Sequence, residues 1–187
     1  LTMKKYIFIL LFILHSTISH AAWRENERRI NTTLEVSNYN SIASKYLKTP
    51  TNVISLKMGG VESLGIEPKR GASIFFSIEH VDEYLAMIAK YIEWQKQATE
   101  NGDAFSKEIG DVKSPMKGIR VRFGFYSGNA TNHYLTILNC VTLFGSCSDD
   151  GESPQFYDLE SAHVLIGLLS KMKAGELKPE DVSEKYK

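Results

Sequence analysis

The chain predicts an α+β domain: an antiparallel sheet including a hairpin near 119–143, with two amphipathic helices, about 80–99 and 159–174, packed on it. Three observations carry this reading. Apolar residues alternate through 119–126 and a second strand-like run follows at 134–143, separated by a short polar stretch. Apolar residues at helical spacing recur at 81–94 and at 162–172. The second helical stretch has Asp158 as its N-cap and is followed by Gly175 as its C-cap.

The first 21 residues read as a cleaved secretory signal. Met3 is the expected start, Lys4 and Lys5 form the charged head, and residues 6–14 are an uninterrupted apolar run. That run is too short to span a bilayer, which takes roughly 20 apolar residues. Ser19 and Ala21 supply the small residues that signal peptidase requires, so the cut is expected after Ala21. Nothing later is long and apolar enough to anchor the exported chain in a membrane. Residues 22–187 then form a single exported domain, periplasmic or secreted, of about 166 residues, enough to bury a core without a metal.

Charge narrows the partners. The whole chain has 22 basic and 22 acidic residues. Lys4 and Lys5 leave with the signal, so the mature domain is slightly acidic. A nucleic-acid binder needs a basic surface to neutralise phosphates, so no nucleic-acid partner is expected. Two cysteines, Cys140 and Cys147, sit in an exported chain, and a disulfide between them is expected. Closing so short a loop stabilises by about 2–3 kcal/mol.

Along the domain, 22–50 is polar, with helical spacing of Ile42, Ala43, Tyr46 and Leu47 that predicts a short helix near 40–48, stopped at Thr49-Pro50. Residues 52–57 alternate as a strand, with Gly59-Gly60 and Gly65 read as turns. Residues 72–78 form the next strand, placing Ala72, Ile74, Phe76 and Ile78 on one face. The first helix carries a broad stripe: Val81, Leu85, Ile88 and Ile92, widened by Tyr84, Met87, Tyr91 and Trp94. Such breadth predicts burial on a sheet. Residues 99–118 read as a long surface connection with one short element near 105–109.

The hairpin register follows from its pattern. Pairing 125 with 135, 123 with 137 and 119 with 141 gathers Phe125, Leu135, Phe123, Ile137, Ile119 and Val141 on one face. The other face then carries Arg120, Arg122, Tyr126, Tyr134 and Thr136. An acidic turn region at 148–157 leads to Asp158, the expected cap of the second helix. Ala162, Leu165, Ile166, Leu169 and Met172 form that helix's apolar face, and a charged, frayed tail follows from Glu176.

No G-x-S-x-G, H-E-x-x-H, EF-hand loop or P-loop occurs, and Cys-x6-Cys is no zinc spacing. No catalytic residue, metal site or cofactor is expected. The best candidate surface is the hairpin's second face. Arg120, Arg122, Tyr126 and Tyr134 are the residue types enriched at binding hot spots. The expected function is an exported binding protein acting on another envelope protein, of inhibitor or toxin-immunity type. One alternative is a small hydrolase using acids near 149–160 with His133 or His163; another is an envelope assembly subunit.

Overall fold

The computed structural model describes residues 24–143, 146–149 and 153–179, with the side chains of 143–150 outside the description. The signal segment therefore lies outside the described residues, as does the tail beyond Pro179.

The strands are β1 (Arg24–Ile30), β2 (Glu35–Asn40), β3 (Lys45–Met58), β4 (Val61–Pro68), β5 (Ile74–Ser77), β6 (Ser106–Lys113), β7 (Ile119–Ser127), β8 (His133–Leu143), β9 (Ser146–Asp149) and β10 (Gln155–Tyr157). The helices are α1 (Val81–Asn101) and α2 (Leu159–Lys173). Among the described residues the sheet runs β5-β4-β3-β2-β10-β8-β7-β6, with β1 laid on β3 and β9 on β8. Every pairing is antiparallel. The α+β class, the hairpin and both helices are as the sequence predicts.

The β7–β8 register is the one the alternation requires: Phe125 faces Leu135, Phe123 faces Ile137 and Ile119 faces Val141. Val121, Phe123, Phe125, Leu135 and Ile137 all lie in the main core. The core is completed by Leu64, Ile66, Ile74 and Phe76 from β4 and β5, and by one face of each helix. Burying each large apolar side chain contributes about 1.5–3 kcal/mol.

On α1 the fully covered line is Val81, Tyr84, Ile88, Tyr91 and Ala98; Leu85, Met87, Ile92 and Trp94 flank it. The two buried tyrosines satisfy their hydroxyls on the sheet. The Tyr84 hydroxyl donates to the Lys113 carbonyl and accepts from the Ser77 amide, and the Tyr91 hydroxyl donates to the His133 carbonyl at 3.1 Å. On α2 the Asp158 side chain accepts from the Ser161 amide at 2.9 Å, which makes it the cap the sequence predicts. Gly175, at φ 69°, closes the other end, with the Glu176 amide reaching back to the Lys171 carbonyl.

Four expectations fail, each for a physical reason. The segment near 40–48 is not a helix: residues 41–44 form the turn of the β2–β3 hairpin and 45–48 begin β3, where pairing with β2 sets Tyr46 opposite Tyr39 and Leu47 opposite Asn38. Pro50 does not end an element. It sits inside β3 at the point where the strand passes from β2, paired over 45–50, to β1, paired from Val53 onward. Proline supplies no amide donor, and the neighbouring hydroxyls serve the ladder instead. Thr49 donates to the Val36 carbonyl at 2.9 Å, and Thr51 accepts from the Val36 amide at 3.2 Å. Gly65 is not a turn; it lies within β4, where a Cβ would come within 2.7 Å of Ile54 and 2.9 Å of Phe75. The short element expected near 105–109 in the 99–118 connection is a longer strand, β6 over Ser106–Lys113, paired along β7 with a bulge between Glu108 and Gly110.

The sheet is strongly curled. Buried amide side chains join its two halves: Asn139 donates to the Ser73 carbonyl at 3.0 Å and Gln155 to the Ala72 carbonyl at 2.7 Å. This brings the approach to edge strand β5 against β8 and β10. A smaller cluster of Ile54, Leu56, Met58 and Phe75, packed with Met116, lies apart from the main core.

Candidate functional site

The curl creates a groove of about 1160 Å³ between the β2–β3 hairpin, the β4–β5 loop, the β7–β8 turn and the start of β10. Its floor is aromatic. Tyr46 is the hub, with ring centroids 5.3 Å from Tyr39, 4.6 Å from Tyr134, 4.8 Å from Phe156 and 6.0 Å from Tyr126. Phe156 in turn meets Tyr126 at 5.5 Å and Tyr134 at 6.1 Å. β3 and β7 are four places apart in the sheet order. On a flat sheet, strands about 4.8 Å apart would put them about 19 Å from each other. Only a concave surface lets the Tyr46 and Tyr126 rings touch.

Two preformed turns rim the groove. In the β2–β3 turn, the Asn40 side chain accepts from the Ala43 amide at 2.9 Å, and Ser44 takes a left-handed φ of 49°. This holds Ile42 out, 97% exposed. Tyr39 is 56% and Leu47 36% exposed on the same hairpin. In the β7–β8 turn, Asn129 Oδ1 accepts from the Thr131 and Asn132 amides, both at 2.9 Å, and the Gly128 amide donates to the Asn132 carbonyl at 2.8 Å. Asn38, Ser44, Asn129, Asn132 and Ser153 add polar lining between the rings.

The Tyr46 and Tyr134 phenols stay neutral. Burial, followed by the hydrogen bond to Tyr126, pushes the Tyr46 hydroxyl above the usual phenol range. Burial, then the nearby Asp158 carboxylate, does the same for Tyr134. Those two rings therefore offer hydrogen-bonding hydroxyls and apolar faces, not charge. Among the described residues of the lining the charged ones are Lys45 and Arg70, both cations.

The four residues of the sequence-predicted interface are divided. Tyr126 and Tyr134 face each other across the hairpin and line the groove. Arg120 and Arg122 lie toward β6 instead. Arg120 pairs with the Asp111 carboxylate and donates to its carbonyl at 2.9 Å, and Arg122 lies 3.4 Å from Glu108. Sequence reasoning missed Tyr39, Ile42, Tyr46, Arg70 and Phe156. The near-symmetric placing of Tyr39 and Tyr46 about Asn40-Ser41-Ile42-Ala43-Ser44 is a hairpin signal that the helical spacing masked.

Of the residues considered for hydrolysis, the described ones, Asp158, Glu160, His133 and His163, do not line this groove. Glu160 is 81% exposed, His163 is exposed, and Asp158 caps α2 while pairing with Lys48 at 2.8 Å. His133 is 5% exposed, with Nδ1 2.8 Å from the Ser127 hydroxyl. Its Nε2 meets no hydrogen-bonding partner among the described residues, so no carboxylate orients the ring. Among the described residues no group of three or more His, Cys, Asp or Glu is placed to hold a metal, and no helix is long and apolar enough to cross a membrane. The side chains of Asp149, Asp150, Glu152 and Cys147 lie outside the described residues. Cys140 is buried, and the backbone register sets Cys147 opposite Thr142, two residues along from Cys140. No protein-family model matches the chain, and no curated protein and no solved structure is significantly similar to it.

Proposed function

We propose that the protein is a non-catalytic binding protein that recognises another protein through the aromatic groove and the β2–β3 tip, as small exported inhibitors and toxin-immunity proteins do. One observation carries this. Five rings, from Tyr39, Tyr46, Tyr126, Tyr134 and Phe156, share a concave surface beside the projecting Ile42. Tyrosine with serine, asparagine and glycine is the composition of engineered and natural paratopes: rigid amphipathic rings give contact area, and short polar residues give adaptable hydrogen bonds. Both rim turns are held by their own side-chain hydrogen bonds, so little ordering entropy opposes binding.

The test uses the mature chain as bait in envelope extract beside a Tyr39→Ser/Ile42→Ser bait. Both positions are exposed, so the variant should keep its Tm. A protein retained by the first bait and lost by the second is expected. Truncating a hot-spot residue costs about 2 kcal/mol or more, roughly 30-fold in affinity. Equal retention by both baits would reject the groove as the binding surface.

Export belongs to the same proposal. It is supported by the leader at 1–21 and by the cysteine pair. N-terminal sequencing of the exported form should begin at Ala22. Intact mass should show Cys140 and Cys147 bridged; two thiols alkylated without reduction would contradict the bridge.

A further inference from the structure

Among the described residues that line the groove, the charged side chains are both cationic. Lys45 enters it from the start of β3 and Arg70 from the β4–β5 loop, and neither has an ion-pair partner among the described residues. The loop is anchored immediately beyond Arg70, where Gln155 holds the Ala72 carbonyl. We infer that the occupant of the groove is an acidic protein segment, whose carboxylates pair with Lys45 and Arg70 while an apolar side chain packs against Tyr39 and Ile42. This rests on the binding reading proposed above and gives its partner a chemistry.

Charge complementarity separates this occupant from its rivals. A second copy of the chain would bring the same two cations to a two-fold interface and set like charges together. A nucleic acid would meet too few cations to neutralise its phosphates. An acidic glycan would satisfy the cations but would leave Ile42, 97% exposed, and Leu47, 36% exposed, without apolar contact. An acidic peptide with an apolar side chain uses both features.

The experiment pans a random peptide library displayed on phage against the mature chain, then measures synthesised winners against variants. The expected pool is rich in Asp and Glu around at least one large apolar residue. Binding of a winner should weaken about tenfold on raising salt from low to half-molar, and by a similar factor in Arg70→Glu. It should be lost in Tyr39→Ser/Ile42→Ser. A neutral or basic pool that Tyr39→Ser/Ile42→Ser still abolishes would overturn the acidic occupant and leave the binding reading standing. A pool indifferent to all variants would overturn both. Failure to select any peptide would overturn the inference. A gel-filtration dimer strengthened by Arg70→Glu would then assign the groove to a second copy, and retention on an acidic-glycan array would assign it to a saccharide.

Discussion

Individual side chains decide how this fold responds to substitution and to pH. Gly65 is held open by neighbours, since an added Cβ would press on Ile54 and Phe75. Gly65→Ala should therefore overpack the sheet and cost about 1–3 kcal/mol, read as a lower urea midpoint at unchanged m-value. Lys48 joins the hairpin strand to the start of α2 through Asp158 at 2.8 Å and Glu160 at 3.1 Å. Burial alone would raise the Asp158 carboxyl, but Lys48 and the Ser161 amide overcome it and hold the group below the usual carboxylate range. Hydrogen bonds to Asp158 and Glu160 hold the Lys48 ammonium above its usual range. A depressed carboxyl contributes stability above its unfolded value, about 3.9, and loses it as pH falls through the lower folded value. A raised ammonium contributes below about 10.4 and loses it as pH rises through the higher folded value. Lys48→Met should be less stable than the parent at pH 7, and the gap should close on acidification below about pH 4. The effect is modest because the pair is partly solvated. A gap that persists in acid would place the role of Lys48 in packing.

At the scale of elements, the strand with the most unusual sequence, β3, sets the shape. Pro50 removes a ladder donor where the strand changes partners, and Thr49 and Thr51 carry the hydrogen bonds of Val36 across the gap. Thr51→Val keeps the volume but strips the acceptor from a buried amide. It should cost about 1–3 kcal/mol, with faster hydrogen exchange at Val36. These residues also explain what was legible beforehand. The β7–β8 hairpin was readable to its register because a one-residue slip would exchange Val121 and Phe123 for Arg120 and Arg122 in the core. Helix α2 was readable because Asp158 and Gly175 mark its ends. β1 and β2 were not, since β1 is mostly exposed and its pattern carries little alternation. β10 was invisible for another reason. Three residues give no period, and it is strand only because β8 and β2 flank it. The site inherited this. Tyr126 and Tyr134 were visible as a face of the hairpin, but the rings that complete the groove come from β2, β3 and β10 and meet them only through tertiary curvature.

Across the whole molecule, two amides hold the curl. Gln155 bridges the Ala72 carbonyl and the Tyr157 hydroxyl, and Asn139 reaches the Ser73 carbonyl at 3.0 Å. Gln155→Leu leaves both of its partners unsatisfied. It should raise hydrogen exchange in β4 and β5 more than in the β7–β8 hairpin, and should weaken partner binding by loosening the loop that carries Arg70. Uniform exchange acceleration would instead mean that the sheet opens as one unit. The long strand β3 has a mechanical consequence as well. Its first six residues build the exposed hairpin, while residues 51–58 are laced to β4 and 53–58 to β1. A pull on the tip is thus passed along the strand axis into two flanking ladders, which must slip together rather than unzip bond by bond. The hairpin tip is mounted as a tensile tie rooted in the sheet, so force applied at the tip should open both ladders of β3 together before the hairpin parts from the sheet.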